Sequence, residues 1–427
     1  MKISANKGFP VLVAESACLH GGAYLPAPSV PTQEGVEDIR FDFNDGARVH
    51  FPEREDGVWR VTLRDKASGV ILYHGDLKNG RLQSAKRYFL RYEIRVFFVS
   101  DDGSIRDVFH HQFDPADKII LIQIPVGTLG DAIGWFSYVP RFQEKTGART
   151  ICVVADKFIA LFKDQYPNIE FTTKEVLAKS DLQERAYATY RIGLFFTDTE
   201  NNWQPSDFRH VGLHKTAAYI LGVDPGEVRP AIAVRDDSRP IEERYVCIAA
   251  QASSQCKYWN NPDGWREVIK FLKDQGLRVI CIDQKSVHGK NWVWNHLPHG
   301  CEDQTGNRPL EERVRWLTHA EFFIGTSSGL SWLAWAVGID VVLISGFTHP
   351  TNEFYTPYRV INWNACNSCW NDPRIMFDHN NIFWCPRHEN TDRQFECSRL
   401  ITPEAVISTI KTIPSMAALN NDGARPQ

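Results

Sequence analysis

Hydrophobic and polar positions alternate with period two from residue 36 to about residue 112. The stretch VEDIRFDFNDGARVHF alternates around an Asn-Asp-Gly turn. GVWRVTLRD, GVILYHGDL and RYFLRYEIRVFFVSDDG follow it, with turn residues between them. Closely spaced strands of this kind predict a small antiparallel barrel or sandwich. The run RYFLRYEIRVFFV is long and reads as exposed, a strand able to pair or pack with another subunit.

The pattern changes near Asp117. KIILIQI is a short apolar run, PVGTLGD a turn, and AIGWFSYVPRFQEKTG a helical stretch; ARTICVVAD, KFIALFKDQYP and NIEFTT continue the alternation. This predicts an α/β unit with a parallel sheet. Residues 205–222 read as one helix ending at Gly222, and the Pro-rich, charged run 223–243 as a linker. A second α/β unit starts at Tyr245, with strands YVCIAAQAS, LRVICID, EFFIGT and VVLISGF separated by helices. LITPEAVISTIKTI closes as a helix, and the tail NNDGARPQ reads as disordered.

The expected fold is α/β, with two Rossmann-like domains behind an N-terminal β-rich, barrel-like domain. The boundaries are 1–115 for the β-rich domain and 116–238 and 239–362 for the Rossmann-like units. A cysteine-rich finger at 363–399 and a C-terminal helix and tail at 400–427 complete the chain. Ligands of such folds bind in the cleft between the units, at the carboxyl ends of the strands.

Composition narrows the function classes. Net charge is −4, with 43% hydrophobic and 23% charged residues. No basic excess points to nucleic acid or to an anionic membrane surface. No apolar run is long enough for membrane insertion, and the N-terminal apolar stretch is too short and broken for a signal sequence. A cytoplasmic protein is expected, so the ten cysteines read as reduced thiols. Cys152, Cys247 and Cys281 sit in apolar strands and read as small core residues.

Three turns carry candidate chemistry. Thr128-Leu129-Gly130-Asp131 joins a strand to a helix. Asp131 there is either a capping aspartate or a general base facing the cleft. Ser253 to Trp259 follows another strand, and Lys257 is either a solvated lysine or a cation that neutralises a leaving diphosphate. Gly325-Thr326-Ser327-Ser328-Gly329-Leu330 is a third strand-to-helix turn, dense in hydroxyls and free N–H groups that suit phosphate. No G-x-x-x-x-G-K-[ST] is present, which excludes a P-loop ATPase. Asp283 ends a strand where a carboxylate meets a ribose hydroxyl.

A fourth group stands apart. Cys366, Cys369, Cys385 and Cys397 lie in a polar segment that cannot order itself by apolar burial. Four thiolates close a coordination shell, which suits a structural metal. Spacing alone favours zinc, with iron the alternative. His379 and His388, in the same segment, could compete as ligands but read as surface residues, since four cysteines already suffice.

The turns together resemble the family 9 glycosyltransferases, heptosyltransferases of the two-Rossmann GT-B type. The resemblance rests on Gly130-Asp131, on Lys257-Tyr258-Trp259 and on Thr326 to Leu333. FTHPTNEFYTPYRVINWNACNSCW and WCPRHENTDRQFECSRLIT look like the bacterial autotransporter heptosyltransferases, which carry a cysteine-bound iron. That resemblance covers nearly the whole chain. It implies transfer of heptose from ADP-heptose to Ser or Thr hydroxyls of an autotransporter adhesin, with Asp131 as base and inversion at the sugar. It implies Lys257 and the Thr326–Leu330 turn at the diphosphate, one structural iron per chain on the four cysteines, and a large homo-oligomer, a dodecamer. Two other expectations compete with it: a lipopolysaccharide core heptosyltransferase, and a metal-stabilised nucleotide-sugar-binding protein.

Overall fold

In the computed structural model the described residues are 23–124, 128–291 and 293–417. The N-terminal stretch with Cys18, Pro125–Gly127 of the first loop and the C-terminal tail lie outside them.

Two parallel sheets carry the molecule. In the first, Glu170–Thr172, Arg149–Val154, Ile119–Ile124 and Ala188–Arg191 lie side by side, all parallel. The second has six parallel strands in the order Glu302–Asp303, Arg278–Cys281, Tyr245–Ala249, Phe323–Thr326, Val341–Ile344, Arg359–Val360. The central strands of both are nearly continuous apolar runs, as expected where helices cover both faces. Cys152, Cys247 and Cys281 are fully buried in them.

The β-rich segment is not one barrel. Arg40–Asn44 pairs in parallel with Ala188–Arg191, and Arg48–Phe51 and Gly80–Gln83 extend the same sheet antiparallel. Gln33–Glu34 pairs with Arg40–Asn44, and four further strands form an open antiparallel sheet, Ile71–Leu77, Gly57–Asp65, Tyr92–Ser100, Ile105–Gln112. One apolar core runs unbroken from Ile39 through Phe136 to Phe354. The alternation specified strands, but it carried no information on which partner each would find.

The run expected as an exposed strand is the opposite. Tyr92–Ser100 is paired on both sides, and Ile94, Val96 and Phe98 are buried. The edges of that sheet are Ile71–Leu77, which pairs with Gly57–Asp65, and Ile105–Gln112.

Two expected helices are interrupted. The stretch after Leu129 divides into Leu129–Phe136 and Tyr138–Thr146; Pro140 has no N–H to continue the ladder. The 205–222 stretch divides into Phe208–Val211 and Lys215–Leu221. Gly212, at φ 97°, sits against the Thr351 carbonyl so closely that a Cβ would overlap it. The chain between Leu221 and Tyr245 has no helix or strand, and Val223 and Ile232 in it pack into the main core. The final helix Pro403–Ile410 starts at Thr402, whose side chain accepts the Ala405 N–H. It packs Val406 and Ile410 under the second sheet.

Candidate active site and metal centre

The strand Ile119–Ile124 leads into the helix Leu129–Phe136, and the strand Phe323–Thr326 leads into the helix Gly329–Val337. The two helix starts meet. A Cβ on Gly130 would lie 2.6 Å from the Trp332 indole, and one on Gly329 would lie 2.8 Å from Leu129 Cβ. Only residues without side chains permit this approach. The unsatisfied N–H groups of both helix starts thereby face one cavity of about 1130 Å³ between the two sheets. Every expected turn residue reaches it except Thr326: Thr128, Leu129, Gly130, Asp131, Lys257, Asp283, Ser327, Ser328, Gly329 and Leu330 all line the cavity. Thr326 is fully buried behind the turn.

Asp131 is the third residue of its helix, not the cap. The Thr128 N–H donates to its Oδ2 at 2.6 Å, so one carboxylate oxygen closes the helix start while the residue still borders the cavity. Protein atoms crowd the carboxyl, and this burial raises its pKa above the ordinary aspartate value. The Thr128 bond and the positive charge of Lys257 oppose the shift without cancelling it. Asp131 therefore takes part in capping its helix and presents a carboxyl of raised pKa at the cavity.

Lys257 ends the short turn Gln255–Lys257. Its ammonium lies over three rings, 5.4 Å from Phe347, 5.7 Å from Trp370 and 5.6 Å from Phe377. Among the described residues no carboxylate pairs with it. The positive charge is held without being neutralised.

The hydroxyls of the third turn are used unequally. Ser327 donates to the carboxylate of Glu353, whose other oxygen lies 3.1 Å from Arg359. Ser328 Oγ and Thr326 Oγ1 are buried and without a protein partner. A buried hydroxyl with no partner is costly, and Ser328 borders the cavity.

Asp283 is committed to the backbone. Its carboxylate accepts the N–H groups of Ala250 at 2.8 Å and Gln251 at 3.2 Å, and burial raises its pKa to about 6. It fixes the end of the strand Tyr245–Ala249, a role the ribose expectation did not contain.

The cysteine segment forms part of the cavity wall. Cys369, Cys385 and Cys397 are buried and Cys366 half-buried, all as free thiols. Burial, then the thiols of Cys369, Cys256, Cys385 and Cys366, push the Cys397 thiol up. The four expected sulfurs and Cys256 are near enough to act on one another electrostatically, but the four do not form a set within 4.8 Å among the described residues. Among the described residues, the metal-binding atoms within 4.8 Å of one another are those of Cys366, His388 and Glu396. Glu396 is engaged otherwise: Arg393 bonds it at 2.7 Å and holds its pKa down to about 2, and it accepts the Cys366 N–H at 2.9 Å. Arg387 lies 3.7 Å from the Cys366 sulfur. Soft thiols on one segment, with Arg387 beside Cys366, are the donor type that suits a thiophilic ion such as iron or zinc.

The two histidines separate. His388 lies beside Cys366, mostly covered, while His379 borders the cavity. Glu353, Arg359, Trp332 and the three rings around Lys257 were not singled out by sequence reasoning. Glu353 and Trp370 lie within the stretches that carry the resemblance, but nothing local marks an aromatic residue as a cage wall.

Comparison with known proteins places this geometry. The model of glycosyltransferase family 9 (heptosyltransferase) matches residues 213–376, and that of the N-terminal domain of glycosyltransferase TibC matches residues 35–100. The autotransporter heptosyltransferase BAHTCr of Citrobacter rodentium is 50% identical over 94% of this chain and 95% of its own. TibC of Escherichia coli H10407 is 50% identical over 91% of this chain and 93% of its own. A crystal structure of TibC, described as dodecameric, iron-containing and in complex with ADP-D-beta-D-heptose, superposes with a TM-score of 0.85 at 47% identity. It covers 93% of this chain and all of that one. BimC of Burkholderia thailandensis, described as inactive, is 45% identical over 95% of this chain and 92% of its own. The chain belongs to the autotransporter heptosyltransferases of glycosyltransferase family 9.

Proposed function

We propose that this chain transfers heptose from ADP-heptose to Ser or Thr hydroxyls of an autotransporter adhesin, in the cytoplasm and before export. The observation that carries the reading is the cavity itself. Two helix starts converge on it, with a carboxylate of raised pKa on one side and an unneutralised ammonium on the other. In GT-B terms the acceptor side is 116–238 and the nucleotide side 239–362.

Asp131 takes the proton from the acceptor hydroxyl, whose oxygen attacks the anomeric carbon opposite ADP. Transfer then proceeds by a single displacement with inversion. Charge builds on the departing β-phosphate. Lys257, the Ser328 hydroxyl and the N–H groups at Gly329 and Leu330 oppose that charge, and their attraction grows as the bond breaks. The Ser327–Glu353–Arg359 chain holds the turn in place.

Cys366, Cys369, Cys385 and Cys397 hold one iron per chain, with zinc the competing occupant and His388 the competing ligand. When bound, the ion cross-links the segment and takes no part in transfer. Subunits assemble as a homo-dodecamer, as the TibC crystal structure is described.

The test is intact mass of an autotransporter passenger co-expressed with this chain. Serial additions of one heptose are expected. No addition to any passenger, with ADP-heptose bound and unconsumed, would overturn transfer and leave the binding role. Modification of a core lipid acceptor instead would favour the lipopolysaccharide reading.

A further inference from the structure

The cysteine segment and Lys257 are joined by more than proximity. The turn that carries Lys257 is bonded to the segment twice through one carbonyl: the Gln255 N–H and the Ser254 hydroxyl both donate to Ile382 O, at 2.9 and 3.1 Å. Two of the three rings around the ammonium, Trp370 and Phe377, belong to the segment, and Trp370 directly follows Cys369.

The rings are themselves fixed. Trp370 Nε1 donates to Asn352 at 3.0 Å, and its backbone N–H donates to Phe347 O at 3.0 Å. Phe377 packs edge-on against Trp370 and against Trp384, next to Cys385, at centroid distances of 5.1 and 4.8 Å. The cluster also includes Cys256 and Cys369. An unbroken path of packed groups therefore runs from the thiols to the ammonium.

Ring faces suit this task better than a carboxylate does. They attract a cation by their quadrupoles, yet they leave its three N–H donors free and place no negative charge beside a diphosphate. A carboxylate would hold Lys257 equally well and repel the ligand.

We propose that Trp370, Phe377 and Phe347 are positioning residues for Lys257, so that the metal-ordered segment sets the affinity for the donor's diphosphate. The proposal rests on the nucleotide-sugar reading above. Lys257 and Asp131 line the same cavity, so on that reading the ammonium is placed to meet the diphosphate that leaves the sugar.

Calorimetric titration of full-length, metal-loaded protein with ADP and with AMP tests this. Phe377→Leu is expected to weaken ADP binding by about tenfold, and AMP, which lacks the β-phosphate, by about twofold or less. Phe377→Tyr retains the ring and the affinity. In a Lys257→Met background, Phe377→Leu has no further effect on ADP, because the cation it would position is gone. Phe347→Leu, outside the segment, repeats the measurement should Phe377→Leu lose its metal or unfold.

The proposal is overturned if a folded, metal-loaded Leu variant binds ADP as the parent does. It is equally overturned if the loss is as large without Lys257. A parent protein that binds neither nucleotide overturns the donor reading instead, and the two failures are therefore distinct.

Discussion

The indole of Trp332 rests against Gly130, with 2.6 Å between Cδ1 and the place a Cβ would occupy. It also fills the space above Gly134, one turn further along, at 3.2 Å. Two glycines four residues apart make a groove on one helix, and the aromatic residue of the other helix lies in it. The convergence of two helix starts on one cavity depends on this contact.

Gly130→Ala is accordingly expected to force the helices apart. Overpacking of this kind costs about 1–3 kcal/mol. A lower melting temperature together with weaker ADP binding is the expected pair of results. Unchanged ADP affinity would mean the helix starts do not jointly bind the ligand.

Asp131→Asn should abolish transfer while keeping ADP binding, with a drop in kcat of roughly 10²- to 10⁴-fold from loss of the base. The same substitution should not destabilise the protein. The folded-state pKa of Asp131 is raised, so the native state holds its proton more tightly than the unfolded chain. Its contribution to stability is therefore fully present below the unfolded pKa and is lost as pH rises through the raised value. At neutral pH the Asn variant, which can still accept the Thr128 N–H, should melt no lower than the parent. A markedly lower melting temperature would make Asp131 a cap first.

The pH profile of kcat/KM should show an acid limb above the ordinary aspartate pKa, since transfer needs the carboxylate form and burial favours the acid. In Asp131→Glu any residual activity should keep an acid limb. A profile flat across the acid range would remove the ionising base.

Asp283→Ala leaves the buried N–H groups of Ala250 and Gln251 without an acceptor, at about 1–3 kcal/mol each. A fall in melting temperature larger than any direct loss of nucleotide affinity is expected. A variant as stable as the parent that fails to bind ADP would restore the ribose role.

Glu353→Gln removes the charge facing Arg359, whose side chain is 9% exposed. Breaking a buried pair on one side costs roughly 3–5 kcal/mol. Glu353→Gln with Arg359→Met should be better tolerated than Glu353→Gln alone, as read by chemical denaturation. Equal stability of the single and double variants would show the pair to be uncoupled.

Much of the site was legible in the chain. Gly130-Asp131, Lys257 and the Thr326–Leu330 turn each sit where a strand gives way to a helix, and hydrophobic periodicity locates those junctions. The turns of Thr128–Asp131 and Ser327–Leu330 meet at the cavity because Gly130 and Gly329 admit close approach, a property visible in the residue type. Asp283 sits at a strand end, a position that suits both a ribose hydroxyl and two backbone N–H groups, so the chain alone did not show its backbone bonds. The bonds to Ala250 and Gln251 became visible only once the two strands were side by side.

The sequence by itself determined the periodicity of the elements and the family, since these rest on local spacing and on stretches of matching residues. Tertiary structure alone decided three things. It divided the β-rich segment between two sheets, because strand pairing depends on partners up to 145 residues away, as Asn44 and Thr189 show. It placed Tyr92–Ser100 inside a sheet rather than at an edge. It also gathered Phe347, Trp370 and Phe377 around Lys257. Each ring is an ordinary apolar residue along the chain, and it becomes the wall of a cation site only when packing turns its face toward the charge.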